Sequence, residues 1–286
     1  MKIPLFYFTV SLPLAAACLF FGMPSAMAEQ GVVITARQAK SEENMVTKKM
    51  GFPPANEWKT ITIFVARNKV RMDSGDGGII YRADQKKVYI LLPKSRNYHE
   101  VTEAFLMKGQ QRVNQAMVQL RQQMAAMPPA QRKMMEQMLK QRGVAMGSNP
   151  AKKPGPSYRR GKRGIKIGQW RCDMFSGRMK GKKVSDICIA RLSNLGLKRN
   201  DLAILNKLEK LFDRQRYDMS RGAGDISLAP DKIRAMAGFD GFPVRTVEYK
   251  DYNKQVKTVL QRIEHKSIPA SVFEVPKGYT KASMGR

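Results

Sequence analysis

The stretch Lys59–Val101, KTITIFVARNKVRMDSGDGGIIYRADQKKVYILLPKSRNYHEV, decides the fold. Ile61, Ile63 and Val65 alternate with Thr60, Thr62 and Phe64, the period of two that sends successive side chains to opposite faces of a sheet. Arg67-Asn68-Lys69 reads as a tight turn into Val70, Arg71 and Met72. Ser74-Gly75-Asp76-Gly77-Gly78 is a second turn, rich in residues that tolerate positive φ. Strands over Ile79–Ala83 and Lys87–Leu92 follow, parted by Asp84-Gln85-Lys86. Pro93 ends the fourth strand, and Arg96–Val101 supplies a fifth. The result is an antiparallel meander made of local pairings.

Upstream, the chain opens with an address. An apolar run from Ile3 to Gly22 follows Lys2, and Ala26 and Ala28 stand three and one positions before a cut ahead of Glu29. The expectation is an exported, periplasmic protein starting at Glu29. Two other readings stay open. One is a membrane anchor, which lacks a basic stop-transfer flank. The other is an outer-membrane lipoprotein lipidated at Cys18, where Leu14 sits one place too far and Leu19-Phe20-Phe21 is no polar tether. Residues 29–55 read as an N-terminal segment in which Gly31–Thr35 fits an edge strand, with a break at Gly51-Phe-Pro-Pro54.

Removal of residues 1–28 takes away one lysine and no acid, leaving +28 of the +29 on 258 residues, enough for one large domain or two small ones. Residues 103–191 hold 20 Lys and Arg against 4 acids, a net +16. Such an excess speaks of anionic partners rather than of fold.

After the meander the period changes. Val113, Met117, Leu120, Met124 and Met127 recur at helical spacing, and Pro128-Pro129 ends this helix and opens a second that carries Met134, Met135, Met138 and Leu139. The stripe is either core or an adaptable, methionine-rich surface for a greasy ligand or an unfolded client. Residues 143–163 read as a disordered basic linker with Lys152, Lys153, Arg159, Arg160, Lys162 and Arg163. It is a solvated loop or a docking foot for an anionic surface. Only Tyr158 there could stack on a base, so nucleic acid is not expected as a partner.

Trp170–Ser176 and Val184–Ala190 pair across a turn at Met179-Lys180-Gly181. If the paired numbers sum to 360, Cys172 faces Cys188, and in an exported protein the two are expected to be oxidised to each other. A metal site is the competing use of paired cysteines, but the chain offers only His99 and His265 beside them. Asn200 or Asp201 caps a helix with Leu202, Leu205, Leu208, Leu211 and Phe212 inward, closed by Gly222-Ala-Gly224. A short helical piece within Ile226–Ala237 follows. Strands over Val244–Tyr249 and Gln255–Glu264 come next, and segments at Pro269 and Pro276 finish the sheet edge.

Three motifs carry a resemblance. The first is the meander order Lys69-Val-Arg-Met-Asp73, Ile79-Ile-Tyr81, Lys86-Lys-Val-Tyr-Ile-Leu91 and Lys94-Ser-Arg-Asn-Tyr98. The second is Met124-Ala-Ala-Met-Pro-Pro-Ala-Gln-Arg-Lys-Met-Met135, and the third is Ile268-Pro-Ala-Ser-Val-Phe-Glu-Val-Pro-Lys-Gly-Tyr279. Together they resemble a family of uncharacterised secreted bacterial proteins that shares the curved sheet of the periplasmic lipoprotein carriers of the Lol system. The resemblance implies an α+β fold in which a curved antiparallel sheet, a half-barrel, is covered by helices. A Met-rich hairpin at 103–142 would be inserted in a single domain over 56–280, with a tail at 281–286.

No hydrolase elbow, zinc-protease motif or phosphate loop is present, and Asp73-Ser-Gly-Asp-Gly-Gly78 lacks the ligands of a calcium loop. The reading is therefore a non-enzymatic periplasmic carrier, without cofactor or metal, for an apolar or acylated ligand. Phe64, Tyr89, Leu91, Met117, Leu120 and Met124 are expected to face that ligand. The alternative is an envelope chaperone or adaptor that meets lipid headgroups or lipopolysaccharide through Lys152, Lys153, Arg159, Arg160, Lys162 and Arg163. An enzyme with a cleft invisible to motif reading is the third.

Overall fold

The computed structural model describes residues 28–42, 58–141, 155–215, 229–250 and 254–283. The leader, Gly51-Phe-Pro-Pro54, residues 143–154 with Lys152 and Lys153, and Gly222-Ala-Gly224 lie outside the described residues.

The meander folds as its alternation requires. β2 (Trp58–Ala66), β3 (Lys69–Ser74), β4 (Gly77–Arg82), β5 (Lys87–Leu92) and β6 (Asn97–Thr102) pair in sequence, each antiparallel to the next. The second turn is shorter than expected. Gly77 and Gly78 belong to β4, and a Cβ at Gly78 would stand 2.8 Å from Asp73 Oδ1.

β1 (Glu29–Glu42) corrects the expectation of an edge strand. It lies between β2 and β12 (Lys254–Ile268), with Ile34 paired to both Ile63 and Ile263. β11 (Gly241–Lys250), β10 (Lys182–Arg191) and β9 (Trp170–Met179) continue outward. β7 (Ser157–Arg160) and β8 (Ile165–Ile167) share the far side of β9. At the opposite border β13 (Thr280–Lys281) runs parallel to β6. The described strands form one thirteen-stranded, mostly antiparallel sheet that curves without closing.

Strand β7 also overturns the linker reading for residues 157–160. Tyr158 sits over Gly177, where a Cβ would come within 2.8 Å of the ring, so a glycine on β9 makes room for an aromatic side chain on the edge.

The β9–β10 hairpin turns on Lys180 and Gly181 alone, both at positive φ (51° and 78°), as a two-residue hairpin loop requires. That turn and an irregularity at Val184 move the register from 360 to 362. Cys188 therefore faces Met174, not Cys172. A shift of two keeps both cysteines on one face, and the disulfide closes diagonally at a Cα–Cα distance of 5.4 Å.

One face of the sheet is covered by helix. α1 (Glu103–Ala125) and α2 (Pro129–Gln141) form the expected hairpin, α1 capped by Thr102, whose hydroxyl accepts from Phe105 N at 3.1 Å. α3 (Ala203–Gln215) follows a 3-10 turn at Arg199–Leu202. Asp201 does not cap the helix; it accepts from Lys198 N at 2.7 Å within that turn. Leu202, Ile204, Leu205 and Leu208 are buried in one cluster with Ile34, Ile61, Ile63, Val65, Cys172 and Cys188. α4 (Pro230–Ala237) places Ile233 and Ala237 against Phe175 and Ile189, on the other face of β9 and β10.

Candidate functional site

The six residues expected to face a ligand do not share a surface. Phe64, Tyr89 and Leu91 lie on the face opposite Ile63, Val88 and Ile90, and the chain's own C-terminus already occupies it. Residues 268–279 cross this face as a strap, with Ile268, Val272, Phe273, Val275 and Tyr279 packed on Val33, Phe64, Ala66, Ile80, Tyr89, Leu91 and Tyr98. Phe273 is completely buried. Arg71 Nη1 donates to Val272 O at 3.0 Å and Arg82 Nη1 to Phe273 O at 3.5 Å. Each arginine is held in turn by the acid two residues on, Asp73 and Asp84, both at 2.7 Å. The Arg82 guanidinium keeps the Asp84 carboxyl below its ordinary range. The segment expected to finish the edge therefore crosses the sheet first, and Thr280–Ala282 reach the border, Ala282 N donating to Tyr98 O at 2.9 Å.

Both histidines serve this kind of tethering. His99 Nδ1 donates to Ala282 O at 3.0 Å and His265 Nε2 to Gly196 O at 2.9 Å.

The other three, Met117, Leu120 and Met124, stand on α1, which touches α2, α3 and β6. Met124 is buried and the other two are half-buried. Off that stripe, Phe105, Met107 and Val118 on α1 and Met134 and Met138 on α2 are exposed, Met107 to 62% and Met134 to 65%. The 4-3-4-3 spacing predicted the inner line and passed over the exposed Phe105, Met107 and Val118. The hairpin is clasped at its bend by Arg132, which donates to Met124 O and Ala125 O, both at 3.0 Å, and to Met127 O at 3.3 Å. The last carbonyls of a helix lack partners within it, and Arg132 supplies a donor here, although Met124 O also accepts from Met127 N at 3.2 Å.

Of the basic set, Arg160 is committed to the fold. It donates to Ala237 O at the end of α4 and lies over Phe175 (5.3 Å) and Phe239 (5.8 Å). Arg159, Lys162 and Arg163 are exposed. Nearby, Tyr249 donates to Asp186 Oδ2 at 2.7 Å and Lys183 pairs with it at 2.6 Å. Burial would raise the Asp186 carboxyl, but the bonds from Lys183 and Tyr249 outweigh it and hold the group below 3.8. Burial, then Asp186, raises the Tyr249 phenol.

A shallow cleft of about 280 Å³ opens between Gln169, Trp170, Asn194, Leu195, Arg262 and Ile263. Arg262 is met there by Glu264 at 3.2 Å, and the lining includes no nucleophile and no general base. Among the described residues no group of three His, Cys, Asp or Glu side chains could hold a metal. No described helix is long and apolar enough to cross a membrane.

Residues 204–279, from α3 to the end of the strap, match the domain of unknown function DUF4412. No curated protein matches the chain. Among solved structures, a LolA superfamily protein from Nitrosomonas europaea aligns over 88% of this chain and 91% of its own, at 6% identity and a TM-score of 0.28. The fold class follows from this chain's own strand order: a curved, unclosed antiparallel sheet with helical covers.

The DUF4412 span takes in β11, β12 and the strap, and of these the strap meets the meander from far along the chain. Arg71 and Arg82 lie outside this span and hold the strap by its backbone carbonyls. Their spacing from Asp73 and Asp84 was visible as Arg-x-Asp at both places, but nothing local showed what the arginines hold.

Proposed function

We propose that this chain is a non-enzymatic binding protein of the bacterial periplasm, holding an apolar or acylated ligand on its methionine-rich helical hairpin. The observation that carries the reading is the exposed apolar side chains of the hairpin: Phe105, Met107, Val118, Met134 and Met138 stand in solvent. Both faces of the meander are meanwhile covered by α3 and the strap. Exposed apolar side chains grouped on one element mark an interaction surface, and thioethers repack around differing acyl shapes at little cost. The expected strand contacts at Phe64, Tyr89 and Leu91 give way to hairpin contacts. Export is supported by the leader and by the Cys172–Cys188 bridge.

The test is organic extraction of protein purified from the envelope fraction, followed by mass spectrometry. Acyl-bearing species should be released in stoichiometric amount. The M107Q/M134Q/M138Q variant should lose them while its thermal transition stays in place. Wild-type protein that carries no apolar species, and binds no acyl-chain fluorophore, would sink the reading.

A further inference from the structure

The outer strands of the sheet gather charge in one place. Residues 155–191 hold eleven Lys and Arg against two acids, Asp173 and Asp186. All eleven cations are exposed. Both carboxylates are already in use: Asp173 Oδ1 accepts from Gly164 N at 3.1 Å, and Asp186 is shared by Lys183 and Tyr249. Three of the cations serve the fold, namely Lys183, Arg160 and Arg191, the last lying 4.5 Å from the Phe239 ring centre.

Seven of the remaining eight cations, all but Arg171, follow one border. Gly161 N donates to Met174 O at 2.8 Å and Met174 N to Lys162 O at 2.9 Å, so the pairing of β7 with β9 runs on toward β8. Residues 157–167 thus line this border of the sheet alongside β9 residues 170–178, over about 27 Å. Along it stand Arg159, Lys162, Arg163 and Lys166. Ser157 pairs with Arg178, which brings the β9–β10 tip, with Arg178, Lys180 and Lys182, beside the start of this edge. Among the described residues none of these seven has a carboxylate partner within salt-bridge distance. Two uncharged side chains, Tyr158 and Met179, are exposed among them.

We propose that this border docks the protein onto an anionic phospholipid surface. Like charges held on rigid strands repel one another, and a sheet of negative headgroups relieves that repulsion along the whole edge at once. Tyr158 and Met179 suit the boundary zone, where amphipathic and apolar side chains sit between headgroup and acyl chain. Nucleic acid fits less well, since stacking needs a free aromatic face and the Tyr158 ring is laid over Gly177. The inference stands apart from ligand binding on the hairpin and uses none of its residues.

The test is co-sedimentation of the mature, oxidised protein with vesicles of equimolar phosphatidylglycerol and phosphatidylcholine, and with vesicles of phosphatidylcholine alone. Wild type should pellet with the first, stay free of the second, and be released by salt. Each neutralised contact should weaken partitioning about fivefold, so K162Q/R163Q/K166Q/K182Q should bind at least tenfold more weakly. A control with the same loss of charge elsewhere, K94Q/K207Q/K210Q/K277Q, should bind nearly as wild type. An unchanged thermal transition and an intact disulfide establish that both variants are folded. Equal losses in the two variants, or no preference for anionic vesicles, would overturn the proposal. So would wild-type protein that leaves the vesicles for duplex DNA at equal charge concentration.

Discussion

Arg71 Nη1 donates to the backbone oxygen of Val272 at 3.0 Å, joining residues 201 apart in sequence. The bond turns a charged side chain of the meander into a clamp on the C-terminal strap, beside the fully buried Phe273. Lys69 adds its ammonium 5.9 Å from the Phe273 ring centre. The strap is therefore part of the core rather than a tail.

Phe273→Ala should cost about 3–5 kcal/mol, the range for deleting a buried aromatic ring. Arg71→Met, which keeps the stem and removes the donor, should cost about 1–2 kcal/mol. Urea denaturation of both variants measures it. A Phe273→Ala protein as stable as wild type would mean that the strap does not pack in solution.

The disulfide should stabilise the fold by about 3 kcal/mol on the loop-closure estimate for a loop of some 15 residues. Cys172→Ser/Cys188→Ser should lower the denaturation midpoint accordingly, and reduced wild type should match it. Peptide mapping without reductant should recover the linked pair. Two freely alkylated thiols in envelope-derived protein would contradict the structure.

Asp186 contributes stability through its ionised form, because its folded-state value lies below the ordinary 3.8. The sign follows: the contribution is complete above 3.8 and is lost as pH falls through the lower folded value. Asp186→Asn should be about 1–2 kcal/mol less stable than wild type at neutral pH, as for a charge-assisted bond partly open to water. The gap should narrow in acid below 3.8. Thermal melts across that window would show it, and a gap that does not change with pH would rule out the linkage.

Arg132→Ala should loosen the hairpin without touching the sheet. It frees three carbonyls at the end of α1 and its bend. Amide exchange should accelerate across 129–141 while β2–β5 keep their protection. Under the proposed function, acyl-ligand retention should fall in parallel. Uniformly faster exchange would show the hairpin and sheet to be one cooperative unit.

What the residues determined by themselves was local. Alternation at Ile61, Ile63 and Val65 and the helical spacing of Met117, Leu120 and Met124 were legible because each pattern reports the geometry of its own few neighbours. The hairpin bend at Pro128-Pro129 was legible for the same reason. Parity alone placed Cys172 and Cys188 on one face, although the register was two residues off, since turn length and a single irregular residue are not encoded in alternation. Only the tertiary structure decided that β1 is central, because Ile34 chooses Ile263 as well as Ile63 across the length of the chain. Only it turned Tyr158–Arg160 from linker into strand, through Gly177 and Phe175 on β9. And only it covered Phe64, Tyr89 and Leu91 with the strap. An apolar side chain states that it will be buried, but its partner depends on which distant segment the whole chain leaves free to cover it.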